Sequence, residues 1–370
     1  MADPVSASQV LDALRPIVDP DFQKSIVDLG FIKNLKVDGA NVSFAIELTT
    51  PACPIKAEFE RAARERVSAL DGVDRVDVTM TANTRQAGRA SLGGQEEVSL
   101  PGVKNIIAVA SGKGGVGKST TAINLALVLR NQGAEVGILD ADVYGPSLSL
   151  LAGIKGRPET TPDRKIMPLH GLGMKLMSMA FFMTDDSPVI WRGPMVHGLI
   201  KQFLTDVKWG ELDYLIVDMP PGTGDAALTL TQMAPLSGAV IVTTANDLSL
   251  IDARKGLKMF EKVNVPVLGI IENMSYFTPP ELPDKKYYIF GQGGGERVAK
   301  ELGVDFLGEV PIDPRIATDG DLGKPIVMSE PDSASAMALR TIAGDIVRKI
   351  AMLAVKHPPV ADANITWVSG

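Results

Sequence analysis

The stretch SGKGGVGKSTT (111–121) holds residue types that bind phosphate. It fits the spacing G-x-x-x-x-G-K-[ST] from Gly112 to Ser119, and the apolar run KNIIAVA leads directly into it. Gly112, Gly114, Gly115 and Gly117 free the backbone to turn its N–H groups inward, and all four are expected to contact the nucleotide. A helix starting at that point adds the positive end of its dipole. Lys118 is placed to neutralise β- and γ-phosphates, and Ser119 to give an oxygen to Mg²⁺. Val116 and Thr120 complete the run expected to contact the nucleotide.

Carboxylates stand at the ends of further apolar runs. ILDADVYGPS brings Asp140 and Asp142, and DYLIVDMPPGTGD brings Asp218. Phosphoryl transfer depends on positioning and charge more than on covalent chemistry, so carboxylates here can hold the metal's waters or orient an attacking one. Asp218 is expected to hold Mg²⁺ through water. Asp140 fits either a catalytic role or the capping of a following helix. Pro220, Pro221 and Gly222 make a stiff turn able to sense the γ-phosphate.

A third chemical candidate is Cys53, the one cysteine of the chain, in TTPACPIK. The pattern predicts that it sits on the first turn of a helix, where the dipole would lower its pKa. A small buried core residue is the other reading.

These residues need elements to position them. Residues 6–18 and 53–70 have helical spacing, the latter with Phe59, Ala63 and Val67 on one face. IKNLKVDGANVSFAIELTT reads as a hairpin turning at Asp38-Gly39, and VDRVDVTMT as a further strand. Together, residues 1–83 predict a small α+β domain. TRQAGRASLGGQEEVSLPG reads as a linker over 84–102.

Beyond it, KNIIAVA, AEVGILD, DYLIVDM, GAVIVTTA and PVLGIIENM are continuous apolar runs suited to parallel strands buried on both faces. Helical stretches at 118–132, 225–235, 247–263 and 335–355 alternate with or follow them. The expectation is a doubly wound α/β P-loop domain over 103–355, with ligands beyond the carboxyl ends of the strands. Residues 356–370 read as a loose tail.

Composition narrows the function classes. The 370 residues are 45% hydrophobic and 22% charged, as in a water-soluble globular chain. A net charge of −7 argues against a nucleic-acid partner. No apolar run reaches the roughly 18 residues of a membrane span. The N-terminus lacks the pattern of a secretory or transit segment. One cysteine allows no internal disulfide, which fits a reducing cytoplasm. Three scattered histidines offer no metal-ligand spacing.

Lys113, near the start of the loop, gives K-G-G-V-G-K-S-T. This resembles the deviant P-loop of the MinD, ParA and nitrogenase iron-protein class. The resemblance implies an ATP-hydrolysing nucleotide-sandwich homodimer in which Lys113 reaches the partner's nucleotide. It also implies that Lys113, Lys118 and Asp142 are catalytic, with Asp142 orienting the water. Asn273, at the end of the run IIENMS, would recognise adenine, and VPIDPRI would pass on the base's other side.

SGKGGVGKST, DADVYGPS, IENMS and the stretch at 191–230 together resemble the Mrp/ApbC family of ATP-binding iron–sulfur cluster carriers. SIVDLGFI and LTTPACPIK resemble the small iron–sulfur assembly domain that often precedes that ATPase. The family implies a bridging [4Fe–4S] cluster held by a C-x-x-C after the N-M-S segment. Here Pro279-Pro280-Glu281-Leu282 stands in that place. Cys53 is therefore the one thiolate this chain offers a cluster. Three functional expectations result. The first is a carrier delivering clusters to apo iron–sulfur clients. The second is an ATPase adaptor of the same pathway that binds no cluster. The third is a MinD- or ParA-like positioning ATPase, disfavoured by the acidic charge and the proline-containing C-terminus.

Overall fold

The computed structural model describes residues 5–87, 98–183 and 193–356. Most of the expected linker and nearly all of the expected tail lie outside these residues.

The N-terminal part opens with α1 (Ala7–Leu14), closed by a capping box between Ser6 and Gln9. Two-residue strands β1 (Val18–Asp19) and β2 (Lys24–Ser25) pair antiparallel. The hairpin β3 (Ile32–Asp38) and β4 (Asn41–Leu48) turns at Gly39, whose φ is 58°. Helix α2 (Lys56–Ser68) crosses over to β5 (Arg75–Ala82), which pairs parallel with β4. Phe59, Ala63 and Val67 recur every four residues and bury against Phe44 and Ile46.

The larger part is an eight-stranded sheet in the order β13-β12-β11-β6-β10-β7-β9-β8. Its strands are β6 (Val103–Ser111), β7 (Val136–Asp140), β8 (Leu169–Gly171), β9 (Met174–Ser178), β10 (Leu212–Asp218), β11 (Gly238–Thr243), β12 (Val267–Phe277) and β13 (Phe306–Ile312). All pairs are parallel except β8–β9. Alternate side chains of β6 feed two cores. Ile107 and Val109 pack with α3 (Lys118–Asn131) and α11 (Ala334–Lys356) on one face. Ile106, Ala108 and Ala110 pack with α5 (Gly193–Thr205), α6 (Asp225–Met233), α7 (Asp247–Lys262) and α8 (Gly294–Leu302) on the other. Burial on both faces is why these strands read as unbroken apolar runs. Short helices α4 (Leu148–Leu151), α9 (Pro314–Gly320) and α10 (Ile326–Ser329) flank the carboxyl ends. No helix among the described residues is long and apolar enough to cross a membrane.

The small part packs against the larger one. The Tyr214 hydroxyl donates to Thr50 Oγ1 at 2.8 Å, Ala52 joins the core beneath α11, and Arg348 lies 3.4 Å from Asp21. Pro54 rests on Gly344, where a Cβ would sit 3.5 Å from its ring. Tyr214 stands near the start of β10 and Asp218 at its end. At about 3.3 Å per residue the contact lies some 13 Å along the strand from the carboxyl ends. The ends of the expected linker are anchored as well. The Ala87 N–H donates to Asn105 Oδ1, and Val98 and Leu100 are buried.

Candidate nucleotide site

The loop after β6 has the backbone that two of its glycines predict. Gly115 and Gly117 have φ of 81° and 82°, a region closed to most side chains. The Ser111 hydroxyl donates to the Lys113 carbonyl. A side chain at Gly112 would run into the backbone of Asp252 on α7, so the loop also needs glycine for packing. Gly114 departs from the expectation that all four glycines serve the same end. Its φ is not positive, a Cβ there would meet nothing within 4 Å, and it is exposed outside the cavity beside the loop. Neither backbone strain nor packing within the single chain demands glycine at Gly114. Helix α3 begins at Lys118 with Gly117 as its N-cap and no side-chain cap. Its first N–H groups are thus left to a ligand, and the dipole favours an anion.

Lys118 and Asp218 are 6% and 2% exposed, and Lys118 Nζ lies 2.5 Å from Asp218 Oδ1 and 3.2 Å from Ser119 Oγ. A carboxylate and a hydroxyl therefore converge on one positive centre. That hard oxygen set suits Mg²⁺, which keeps most of its waters and asks few ligands of the protein. Among the described residues no group of three or more His, Cys, Asp or Glu is arranged to hold a metal by itself. Parallel register sets Asp140 opposite Asp218. Burial and the neighbouring Asp218 charge push Asp140 up to about 7. Burial also raises Asp218, against the pull of Lys118.

The choice left open at Asp140 falls to the structural side. Its Oδ2 accepts from the N–H groups of Ser147 and Leu148 and from the Ser178 hydroxyl, and its Oδ1 from the Asp142 N–H. Asp142 is 9% exposed, and its Oδ1 accepts from the Gly145 N–H at 3.2 Å. On the far side of Asp218, Gly222 has φ 83° and donates to the Ser111 carbonyl, tying the Pro220–Pro221 turn to the phosphate loop.

Beside the loop lies a cavity of about 420 Å³, lined among others by Gly117, Thr120, Leu151, Asn273, Pro311 and Ile316. Asn273 Nδ2 donates to the Val116 carbonyl at 2.9 Å. Its Oδ1 remains as the group that can accept from a bound base. Thr120 and residues of the VPIDPRI segment also line this cavity. Leu151 carries no signal in the sequence, because a four-residue apolar helix has no period of its own.

Lys113 is half-buried and makes no ion pair among the described residues. Cys53 departs from expectation. It lies three residues before α2, whose N-cap is Ile55. The following Pro54 disfavours helical geometry at Cys53, so the helix starts late. Instead of a low-pKa thiolate, burial pushes its thiol up to about 11, with Asp19 and Asp21 adding to the rise. It also lies at the Tyr214 end of the sheet, away from the phosphate loop. The stretch holding Pro279–Leu282 is a loop closed by a bridge between Phe277 and Tyr287.

Residues 102–347 match the family described as ParA, NUBPL iron-transfer P-loop NTPase. Residues 7–79 match the iron–sulfur cluster assembly protein family. An iron–sulfur cluster carrier protein of Synechocystis sp. is 52% identical over 355 residues, covering 95% of this chain and 99% of that one. The chloroplastic Fe–S cluster assembly factor HCF101 of Arabidopsis thaliana is 48% identical over 94% of this chain, which spans 65% of its length. Among solved structures, a nucleotide-binding protein from Archaeoglobus fulgidus in complex with ADP is 40% identical with a TM-score of 0.55, over 63% of this chain and 91% of that one. By sequence across both parts and by the fold of the larger, the chain belongs to the NUBPL iron-transfer P-loop NTPase family.

Proposed function

We propose that this protein is an ATP-hydrolysing iron–sulfur cluster carrier or assembly factor that works as a nucleotide-sandwich homodimer. The cluster is cargo, passed to apo iron–sulfur clients. The observation that carries the ATPase reading is the convergence of Lys118, Ser119 and Asp218 beneath an uncapped helix start. In this reading the loop amides and Lys118 bind phosphates, Ser119 and Asp218 hold Mg²⁺, and Asp142 orients the attacking water. Mg²⁺ would supply charge neutralisation at the β- and γ-oxygens. Asn273 and Pro311 would flank adenine. Lys113, without an ion pair among the described residues of the single chain, would reach the nucleotide of the partner subunit. The exposed Gly114 beside it would leave room for that approach. The cargo is supported by the relatives named as cluster carriers. A free thiol suits a reducing compartment such as the cytoplasm.

One observation favours a second reading, that of an adaptor which binds no cluster. Cys53 is half-buried with a raised pKa, and no C-x-x-C stands after Asn273. Two thiolates in a dimer would leave a [4Fe–4S] cluster short of ligands. Anaerobic reconstitution with iron and sulfide, then transfer to an apo-ferredoxin with and without ATP, separates the two. A carrier gives a sulfur-to-iron chromophore that is lost in Cys53→Ser and is transferred. The adaptor gives none in either protein.

A further inference from the structure

We propose that Ser178 is a positioning residue for hydrolysis. Through the Asp140 carboxylate it holds the loop from 140 to 148 in the shape that presents Asp142 to the nucleotide. This rests on the reading of Asp142 as the water-orienting carboxylate.

Strand β7 ends at Asp140. Ala141 N–H makes a last bond to the Asp218 carbonyl at 2.9 Å, and the chain then leaves the sheet. Both ends of the departing loop return to one side chain. Asp140 Oδ1 accepts from Asp142 N–H at 3.1 Å, while Oδ2 accepts from Ser147 and Leu148 N–H at 3.0 and 3.1 Å. The tether does more than cap the helix it leads into, since two of its three backbone bonds reach the start of the four-residue α4 and the third reaches Asp142 at the loop's other end. The tether thereby fixes the approach of Asp142.

Ser178 gives Asp140 Oδ2 its side-chain donor, at 2.9 Å. The Ser178 oxygen also accepts from the Ala180 N–H at 3.1 Å, so its one proton is directed at Asp140. The residue is fully buried at the end of β9, in register with Asp140 on the neighbouring strand. It does not line the base cavity. Loss of this hydrogen bond leaves Oδ2 with its backbone donors alone and lets the carboxyl group turn.

The test is steady-state ATP hydrolysis by the full chain with Mg²⁺, in Ser178→Ala, Asp142→Ala and the double variant. The expected result is a roughly tenfold fall in kcat for Ser178→Ala, with KM within about twofold of wild type. In the Asp142→Ala background the same change should cost nothing further, because Ser178 acts through Asp142. Unchanged kcat, a change in KM alone, or losses that multiply fully in the double variant would each overturn the proposal. Asp142→Ala with full activity would overturn the reading of Asp142 itself, and this outcome is seen without any Ser178 variant. Should Ser178→Ala fail to fold, Ser178→Cys, of similar volume with a feeble donor, reads the same kcat effect.

Discussion

The Lys118 ammonium and the Asp218 carboxylate are bonded at 2.5 Å in a buried setting, with Ser119 Oγ on the same ammonium. The lysine neutralises a carboxylate that would otherwise sit buried and unpaired beside Asp140. In the proposed function, binding of a magnesium nucleotide would trade one cation for another at Asp218. Lys118→Ala should lower ATP turnover by at least about a hundredfold, as loss of a phosphate-binding charge does. It should also destabilise the nucleotide-free protein by about 3–5 kcal/mol, because a buried charge loses its partner. Urea unfolding measures the second effect, and Asp218→Asn added to Lys118→Ala should recover part of it. Normal turnover in Lys118→Ala would remove the phosphate role.

Asn273 has two duties, a bond to the Val116 carbonyl and a place in the cavity wall. Asn273→Ala removes both. Loss of one or two hydrogen bonds costs about 1–2 kcal/mol, so ATP and ADP should bind about tenfold more weakly by calorimetry. The rate at saturating ATP should change far less. A variant binding both nucleotides as tightly as wild type would place the base elsewhere.

Cys53 makes a pH prediction whose sign differs from that of an activated thiol. Its ordinary pKa of 9.0 is raised to about 11 in the folded chain. At pH 8 iodoacetamide should alkylate it at least tenfold more slowly in the native protein than in urea. Between about pH 9 and 11 the unfolded chain releases a proton that the folded chain keeps. Stability should therefore fall with rising pH across that window, and Cys53→Ser should make the slope shallower, the remainder in the upper part of the window coming from Tyr214, whose pKa burial also raises. Fast alkylation at neutral pH would return Cys53 to the reactive class.

Much of the larger fold was legible because parallel strands buried on both faces are continuous apolar runs, as at Ile106–Ala110 and Val240–Val242. The edge was not. β8 and β9 meet around Leu172 and Gly173, too short for a period, yet β9 delivers Ser178 to Asp140. β13 hides behind Gly308, Glu309 and Pro311, which break its alternation. The phosphate loop was readable as a local pattern whose chemistry is set by spacing. That pattern treats its glycines alike, whereas Gly115 and Gly117 answer to φ, Gly112 to packing and Gly114 to neither. The pairing of Asp140 with Asp218 was not readable, since it depends on register between strands far apart in sequence. Cys53 misled for a local reason, as Pro54 looks like a helix start but holds the preceding residue out of the helix.

Tyr214 links the two parts of the molecule. Its ring is buried at the start of β10, burial raises its pKa, and its hydroxyl donates to Thr50 Oγ1 at 2.8 Å. Thr50 Oγ1 also accepts from the Ala52 N–H, so it keeps a partner when the tyrosine hydroxyl is removed. Tyr214→Phe should then cost only about 1 kcal/mol overall. The loss should be local. Amide hydrogen exchange should quicken across residues 50–56, where the small part meets Tyr214 and α11, and stay unchanged at Gly117–Thr121. This pattern would show that the Thr50 contact holds the segment carrying Cys53 without reaching the nucleotide loop. Equal acceleration at both places would mean that the two ends of β10 are coupled through the strand, and unchanged exchange at 50–56 would mean that Pro54 on Gly344 and Asp21 with Arg348 suffice to hold the small part in place.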